Sequence, residues 1–300
     1  MTAPSTLLLH FDDEQAMAQR LAQASGIDCA AIARHRFPDG ELKLRLPATL
    51  PARVVLLRSL DHPNEKLVEL LLAARSARAL GATHLTLVAP YLAYMRQDMA
   101  FNPGEVVSQQ VVGGFLADLF DAVITVDPHL HRIERLEQAI PVAQAVVLSG
   151  APLLADLLAR ELQRPVLVGP DAESAQWIAQ AAGAHGFTHG VCHKDRHGDR
   201  DVTIHLPDLD VQGRAVVVLD DVASSGRTLA GATRLLLAAG ATSVDVAVTH
   251  ALFAGDALDV IQAAGVRNVW STDCIAHASN AVSVAPALAN ALRTVHSSLL

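Results

Sequence analysis

Val216-Val217-Val218-Leu219-Asp220-Asp221-Val222-Ala223-Ser224-Ser225-Gly226-Arg227-Thr228-Leu229 is the stretch from which the rest of the chain can be read. Its opening aliphatic run, mostly β-branched, predicts a buried strand. The run meets two adjacent acids, crosses a segment of small residues, and gives way after Gly226 to apolar residues at helical spacing. Strand, small-residue loop and helix in that order make the ligand-binding turn of an open α/β sheet, at the carboxyl end of a strand. Small residues let the backbone wrap an anion. The hydroxyls of Ser225 and Thr228 add donors, and the helix N-terminus adds a positive field. Two carboxylates beside a bare phosphate would repel it, but they suit sugar hydroxyls or a hydrated Mg²⁺. The expected ligand is therefore a phosphorylated sugar. A plain helix N-cap accounts for one Asp or Ser and leaves the second carboxylate unexplained.

Outward from this stretch, further short apolar runs read as buried strands: Val54 to Leu57, Leu85 to Val88, Val123 to Val126 and Val166 to Val168. Helical spacing separates them over Leu67 to Leu80, Val107 to Leu119, Leu153 to Leu162, Ser174 to Ala182 and Thr228 to Ala239. Such alternation predicts parallel sheets flanked by helices. Gly81-Ala82-Thr83 ahead of Leu85 to Val88 is echoed by Gly240-Ala241-Thr242 ahead of Val244 to Ala247, about half the chain later. Asp121 to Asp127 is echoed in part by Arg267 to Asp273. A helix, a glycine cap and a strand make a common junction, yet two echoes in the same order predict two related domains. The expected divisions are residues 1–148, residues 149–285 and a helical tail over 286–300.

The composition is 51% hydrophobic and 18% charged, that of a globular protein with room for two cores. No apolar run approaches the roughly 18 residues of a membrane span. Met1 to Leu9 lacks a basic start and a cleavable apolar core, so no signal peptide and a cytoplasmic location are expected. A net charge of −8 is the wrong sign for nucleic-acid binding through phosphates. Cys29, Cys192 and Cys274 are widely spaced and form no CxxC pair, which predicts buried free thiols.

Other segments share a second likeness. The phosphate loop resembles that of the type I phosphoribosyltransferase superfamily. Phe37-Pro38-Asp39-Gly40-Glu41, Pro90-Tyr91-Leu92-Ala93-Tyr94-Met95-Arg96-Gln97-Asp98, Asp127-Pro128-His129, Pro170-Asp171 and Lys194-Asp195-Arg196 are, in that order, similar to motifs of the ribose-phosphate diphosphokinase family. Phe101 to Glu105 resembles its archaeal branch. The resemblance implies two type I phosphoribosyltransferase-like α/β domains and transfer of the diphosphoryl group of ATP to the 1-hydroxyl of ribose 5-phosphate. Lys194 and Arg196 would be catalytic, the first a point charge and the second a planar fork for phosphate oxygens. It implies ATP contacts from Phe37, Asp39, Gly40, Glu41, Arg96 and Gln97, with the hairpin around Pro38 reaching a neighbouring subunit of a homo-oligomer. Ribose 5-phosphate would meet Arg196, Asp220, Asp221, Ser224, Ser225, Gly226, Arg227 and Thr228. Mg²⁺ would meet Asp127, His129 and Asp171.

Several of these residues have second readings. Asp127 and His129, two apart in an extended segment, would face one side. His131 continues the spacing as His-x-His, which could read as a zinc pair, but Mg²⁺ at His129 is the preferred reading and His131 stays unassigned. Asp171 would also cap the helix that follows. Cys192 to Arg200, a polar segment with Gly198 that could close over the substrates, reads otherwise as a solvated turn. Ala172-Glu173-Ser174 stands where the family has a glycine-rich diphosphate loop, Ser224 where many members have Asp, and Arg227 where Gly is frequent. A phosphoribosyltransferase acting on a base and a catalytically silent paralogue of a synthetase are the competing functions.

Overall fold

The computed structural model describes residues 6–130, 132–196 and 202–297. The chain divides into two compact units, Met1–Leu148 with Val284–Leu300, and Ser149–Ser283. In chain order the first holds β1 (Thr6–His10), α1 (Gln15–Ser25), β2 (Asp28–Ala31), β3 (Ala33–Arg36), β4 (Leu42–Arg45), β5 (Arg53–Leu57), α2 (Pro63–Ala79), β6 (His84–Ala89), α3 (Ser108–Ala117), β7 (Ala122–Val126) and β8 (Gln144–Leu148). The strands β2-β1-β5-β6-β7-β8 form one parallel sheet, and β3 with β4 forms a separate antiparallel hairpin. Val55, Leu56 and Leu57 are fully buried on successive positions, as in a parallel strand covered on both faces.

The second unit holds α4 (Ala151–Glu161), β9 (Val166–Gly169), α5 (Ala175–Gly183), β10 (Thr188–Val191), β11 (His193–Arg196), β12 (Val202–His205), β13 (Ala215–Ala223), α6 (Arg227–Ala238), β14 (Ser243–Ala251), α7 (Ala257–Ala263), β15 (Val266–Thr272) and β16 (Asn280–Val282). Its parallel sheet runs β10-β9-β13-β14-β15-β16, with β11 and β12 as a separate antiparallel hairpin. The last helix, α8 (Ala285–Ser297), packs on α1 in the first unit and buries Leu288, Leu292 and Val295.

The two sheets have the same strand order once each hairpin is set aside. Ahead of one hairpin the Ile32 N–H donates to the His10 carbonyl at 2.8 Å, and ahead of the other the Cys192 N–H donates to the Gly169 carbonyl at 2.8 Å. The echoed glycines Gly81 and Gly240 both have positive φ, +109° and +92°, at the turns into β6 and β14. The helix N-caps His62 and Gly226 are both left-handed, at φ 49° and 70°. The sequence echoes are thus the trace of one fold used twice.

Two expectations are corrected. Cys192 and Cys274 are buried free thiols, but Cys29 is exposed because it lies on β2, an edge strand. The strand expected over Val216 to Leu219 continues to Ala223, because β14 extends alongside and pairs Val222 with His250 and Ala223 with Ala251.

Candidate active site

Asp220 and Asp221 therefore stand within a strand, which fixes their backbone before the turn begins. Successive residues of a strand point to opposite faces. The Asp221 N–H donates to Asp220 Oδ1 at 3.0 Å. Burial, then the neighbouring Asp221 and Asp171 carboxylates, push the Asp220 carboxyl well above its ordinary pKa. The Asp220 carboxyl thus lies within electrostatic reach of Asp221, its neighbour on β13, and of Asp171, which follows β9.

The turn Ser224-Ser225-Gly226 then delivers the chain to α6. Gly226, at φ +70°, is packed so closely that a Cβ there would lie 2.8 Å from the Ala257 carbonyl and 2.9 Å from Ile261. Its fold is held by the Phe253 N–H to the Ala223 carbonyl at 2.8 Å and the Ala254 N–H to the Ser224 carbonyl at 3.0 Å. Ser225 and Arg227 are exposed, and Thr228 half-buried, at the open N-terminus of the helix. All the loop residues expected to hold ribose 5-phosphate fall on this one turn.

Asp171 follows β9 and caps a single helical turn, accepting the Glu173 N–H at 3.2 Å. The Ser174 hydroxyl donates to the Asp171 carbonyl at 2.6 Å. Gly169 makes this possible, since a Cβ would sit 2.1 Å from Ser174 Oγ. Lys194 and Arg196 occupy alternate positions of β11, paired with Ile204 and Val202 of β12. The polar segment around Lys194 continues into 197–201, which lies outside the described residues, as does His131.

In the first unit, Phe37 to Glu41 closes the hairpin between β3 and β4. The Gly40 N–H donates to the Phe37 carbonyl at 2.9 Å, the Phe37 N–H to the Glu41 carbonyl at 2.8 Å, and the Glu41 N–H to Asp39 Oδ1 at 3.1 Å. Phe37 is exposed, meets His35 edge-on at 4.7 Å between ring centroids, and has Lys43 Nζ 6.0 Å from its ring centre. Arg96 is exposed beyond β6, whereas Gln97 accepts the Ser108 hydroxyl at 2.6 Å. Asp127 ends β7 in a left-handed conformation, φ 36°, with its N–H donating to the Leu148 carbonyl at 2.9 Å. The extended run expected from Asp127 to His129 is therefore broken by a bend at Asp127, in a conformation that Asp tolerates better than most residues.

Among the described residues no three His, Cys, Asp or Glu side chains form a metal-ligand group. The donor set nevertheless fits Mg²⁺, which takes one or two carboxylates and completes its shell with water and phosphate oxygens. Asp171, one of the expected donors, is also a carboxylate that raises the pKa of buried Asp220, a charge that a divalent cation would offset.

Sequence reasoning missed a second polar centre. Arg58, at the end of β5, and Glu69, inside α2, are each 1% exposed and bonded to each other. Arg58 Nη1 also donates to both Asp13 oxygens at 2.8 and 2.9 Å and lies 3.3 Å from Glu14 Oε2. Arg34 on β3 donates to the other oxygen of Glu69 at 2.5 Å and to Asp12 at 2.6 Å. The Phe11 ring lies against both guanidinium groups, 4.6 Å from Arg58 and 5.6 Å from Arg34. The available signals were a lone Arg closing the run Val54 to Leu57 and a Glu within the apolar stretch Leu67 to Leu72.

A parallel sheet whose strand runs through an acidic pair into a turn of small residues and a helix defines a phosphoribosyltransferase-type domain, here present as a repeated fold. Residues 6–119 match the model of the N-terminal domain of ribose phosphate pyrophosphokinase, and residues 142–293 that of the phosphoribosyl transferase domain. The chain belongs to the ribose-phosphate pyrophosphokinase family. It is 35% identical over 93% of its length to the ribose-phosphate pyrophosphokinase of Methanopyrus kandleri, covering 96% of that protein. The namesake from Halobacterium salinarum is 34% identical over 95% of this chain and is covered completely. The crystal structure of phosphoribosylpyrophosphate synthetase from Mycobacterium smegmatis superposes with a TM-score of 0.85 over 98% of this chain and 99% of that one. At 23% identity, that likeness speaks for the fold. No helix among the described residues is long and apolar enough to cross a membrane.

Proposed function

We propose that this protein transfers the diphosphoryl group of ATP to the 1-hydroxyl of ribose 5-phosphate, giving 5-phosphoribosyl 1-diphosphate and AMP. The observation that carries this reading is the Asp220-Asp221 pair, set by β13 at the edge of the Ser224 to Thr228 turn, in a chain of this family. In the proposed reaction the 1-hydroxyl oxygen attacks the β-phosphorus of ATP. The bond from that phosphorus to the α,β-bridging oxygen breaks, AMP leaves with the oxygen, and the hydroxyl proton passes to solvent.

The turn at Ser224, Ser225, Gly226, Arg227 and Thr228 holds the 5-phosphate through N–H groups, hydroxyls and the Arg227 cation. Asp220 and Asp221 take the ribose hydroxyls. Lys194 and Arg196 bring positive charge to the phosphoryl oxygens, where positioning and electrostatics govern this kind of transfer. Phe37, Asp39, Gly40 and Glu41 meet the nucleoside of ATP, with Arg96 and Gln97 on its phosphates and base. Asp127 and His129 in the first unit, and Asp171 in the second, would each contact Mg²⁺, which when bound neutralises phosphate charge. The hairpin serves a neighbouring subunit, so the active form is a homodimer or a larger homo-oligomer in the cytoplasm.

The test is direct. Purified protein with ATP, Mg²⁺ and ribose 5-phosphate should form AMP and phosphoribosyl diphosphate in equal amounts. AMP formation no greater than in a control without ribose 5-phosphate overturns the reading.

A further inference from the structure

The repeat allows the two units to be compared residue by residue. Ile32 and Cys192 hold matching places, so Arg34 corresponds to Lys194 and Arg36 to Arg196, each pair on alternate positions of the first hairpin strand. The helices correspond as well, each beginning after a left-handed cap, which sets Glu65 against Leu229 and Glu69 against Thr233. The two copies have therefore diverged in charge at one place. Helix α6 contains no acid anywhere along Arg227–Ala238, whereas α2 carries an acid at both of these positions.

In the first unit those acids meet the basic pair. Arg34 Nη1 donates to Glu69 at 2.5 Å, and Arg36 donates to both oxygens of Glu65 at 2.9 and 2.5 Å. The match is geometric. Two residues of a strand rise about 6.8 Å, and the four residues from Glu65 to Glu69 rise about 6 Å along a helix. Two parallel ion pairs can therefore form without distortion. The loop ahead of α2 is closed by its own cation, since Lys66 Nζ donates to the Ser59 carbonyl at 2.8 Å and to Asp61 at 2.6 Å.

Strand alternation decides what this clamp leaves free. Arg34 and Arg36 turn to Glu69 and Glu65 of α2, and Leu44, across the hairpin from Arg34, packs on the core, while His35, Phe37 and Lys43 alternate on the other side and are exposed. One side of the hairpin is pinned and the other is presented. We infer that Arg34 and Arg36 are positioning residues: paired to Glu69 and Glu65, they fix the hairpin so that Phe37 to Glu41 are held ready for the nucleotide. In this copy of the fold the basic pair has become an anchor. The inference rests on the reading that the hairpin turn meets ATP.

The exposed pair offers the cleaner test, because Arg36 and Glu65 are 46% and 65% exposed and their loss leaves no buried charge. Arg36→Ala and Glu65→Ala should each raise the KM for ATP by ~10-fold, the scale of a slightly misplaced contact. The KM for ribose 5-phosphate and kcat at saturating ATP should stay within ~2-fold, since only ATP binding is affected. The swapped double variant, Arg36→Glu with Glu65→Arg, should recover most of the ATP affinity. A swapped pair as weak as Arg36→Ala would overturn the inference, because it would make Arg36 a direct nucleotide contact. An unchanged KM for ATP in both single variants, beside a raised one in Phe37→Ala, would overturn the clamp and leave the ATP reading intact. An unchanged KM in Phe37→Ala as well would overturn both.

Discussion

Arg58 and Glu69 are bonded to each other while each is 1% exposed, so the first unit carries an ion pair almost wholly removed from water. Removing one partner of such a pair costs far more than the pair contributes, because the remaining charge stays buried. Glu69→Ala leaves Arg34 and Arg58 both short of a carboxylate and should destabilise the protein by about 3–5 kcal/mol. The double change Arg58→Met with Glu69→Leu should be less harmful than the single one. Urea unfolding checks the order, and a Glu69→Ala loss under about 1 kcal/mol, the scale of an exposed pair, would refute it.

Glu14 gives the same centre a pH dependence. Burial raises its pKa from 4.5 to about 7, overcoming Arg58, whose nearest contact is 3.3 Å, and the Ser59 N–H that Glu14 accepts at 2.5 Å. A carboxyl with a raised pKa binds its proton more tightly in the folded state, so its contribution to stability falls as pH rises from about 4.5 to about 7 and is then level. Asp13 moves the other way. Burial opposes its charge, but Arg58 and Arg34 hold its pKa down, so its contribution is lost at low pH. Subtracting the stability–pH curve of Glu14→Gln from that of the parent should isolate the fall at Glu14, on the order of 3 kcal/mol. A flat difference across that window would show that Glu14 ionises normally.

What could be read from the sequence followed chemical regularity. The strands β5, β6, β7, β9 and β13 announced themselves because burial on both faces demands unbroken aliphatic runs. The turn after β13 was legible because small residues, hydroxyls and a helix start have few other uses in that order. The centre around Arg58 was not, since it joins Asp13, Arg34, Arg58 and Glu69 from four separate elements or loops. No local pattern marks a charge whose partner lies 45 residues away. Asp127 illustrates a different limit: its left-handed φ of 36° goes with a hydrogen bond to Leu148, a neighbour created only by the sheet.

Lys194 is the residue on which the proposed chemistry leans most. As a cation on β11 it would meet charge that grows on the phosphoryl oxygens as the transfer proceeds. Lys194→Ala should lower kcat by ~100-fold or more, with a small change in ribose 5-phosphate affinity. Equal weakening of binding and turnover would assign Lys194 to substrate binding in ground and transition states alike.

If Asp220 takes a ribose hydroxyl as proposed, it sets stability against binding in one side chain. Its carboxyl is buried and lies near Asp221 and Asp171, so its pKa is raised and its ionised form is disfavoured in the ligand-free protein. By the same sign as Glu14, its contribution to stability falls as pH rises through the ordinary carboxyl range and up to the raised pKa. Asp220→Asn removes the charge and keeps an acceptor oxygen for the Asp221 N–H, now 3.0 Å away. The ligand-free variant should melt at a higher temperature than the parent at pH 8, with the difference shrinking towards pH 4. Ribose 5-phosphate and Mg²⁺ together should raise the melting temperature of the parent much more than that of the variant, because a hydroxyl acceptor and a carboxylate near the cation are gone. Site residues commonly trade stability for function in this way. A variant less stable than the parent at pH 8, yet equally stabilised by the ligands, would show that Asp220 is a structural carboxylate with no part in the sugar site.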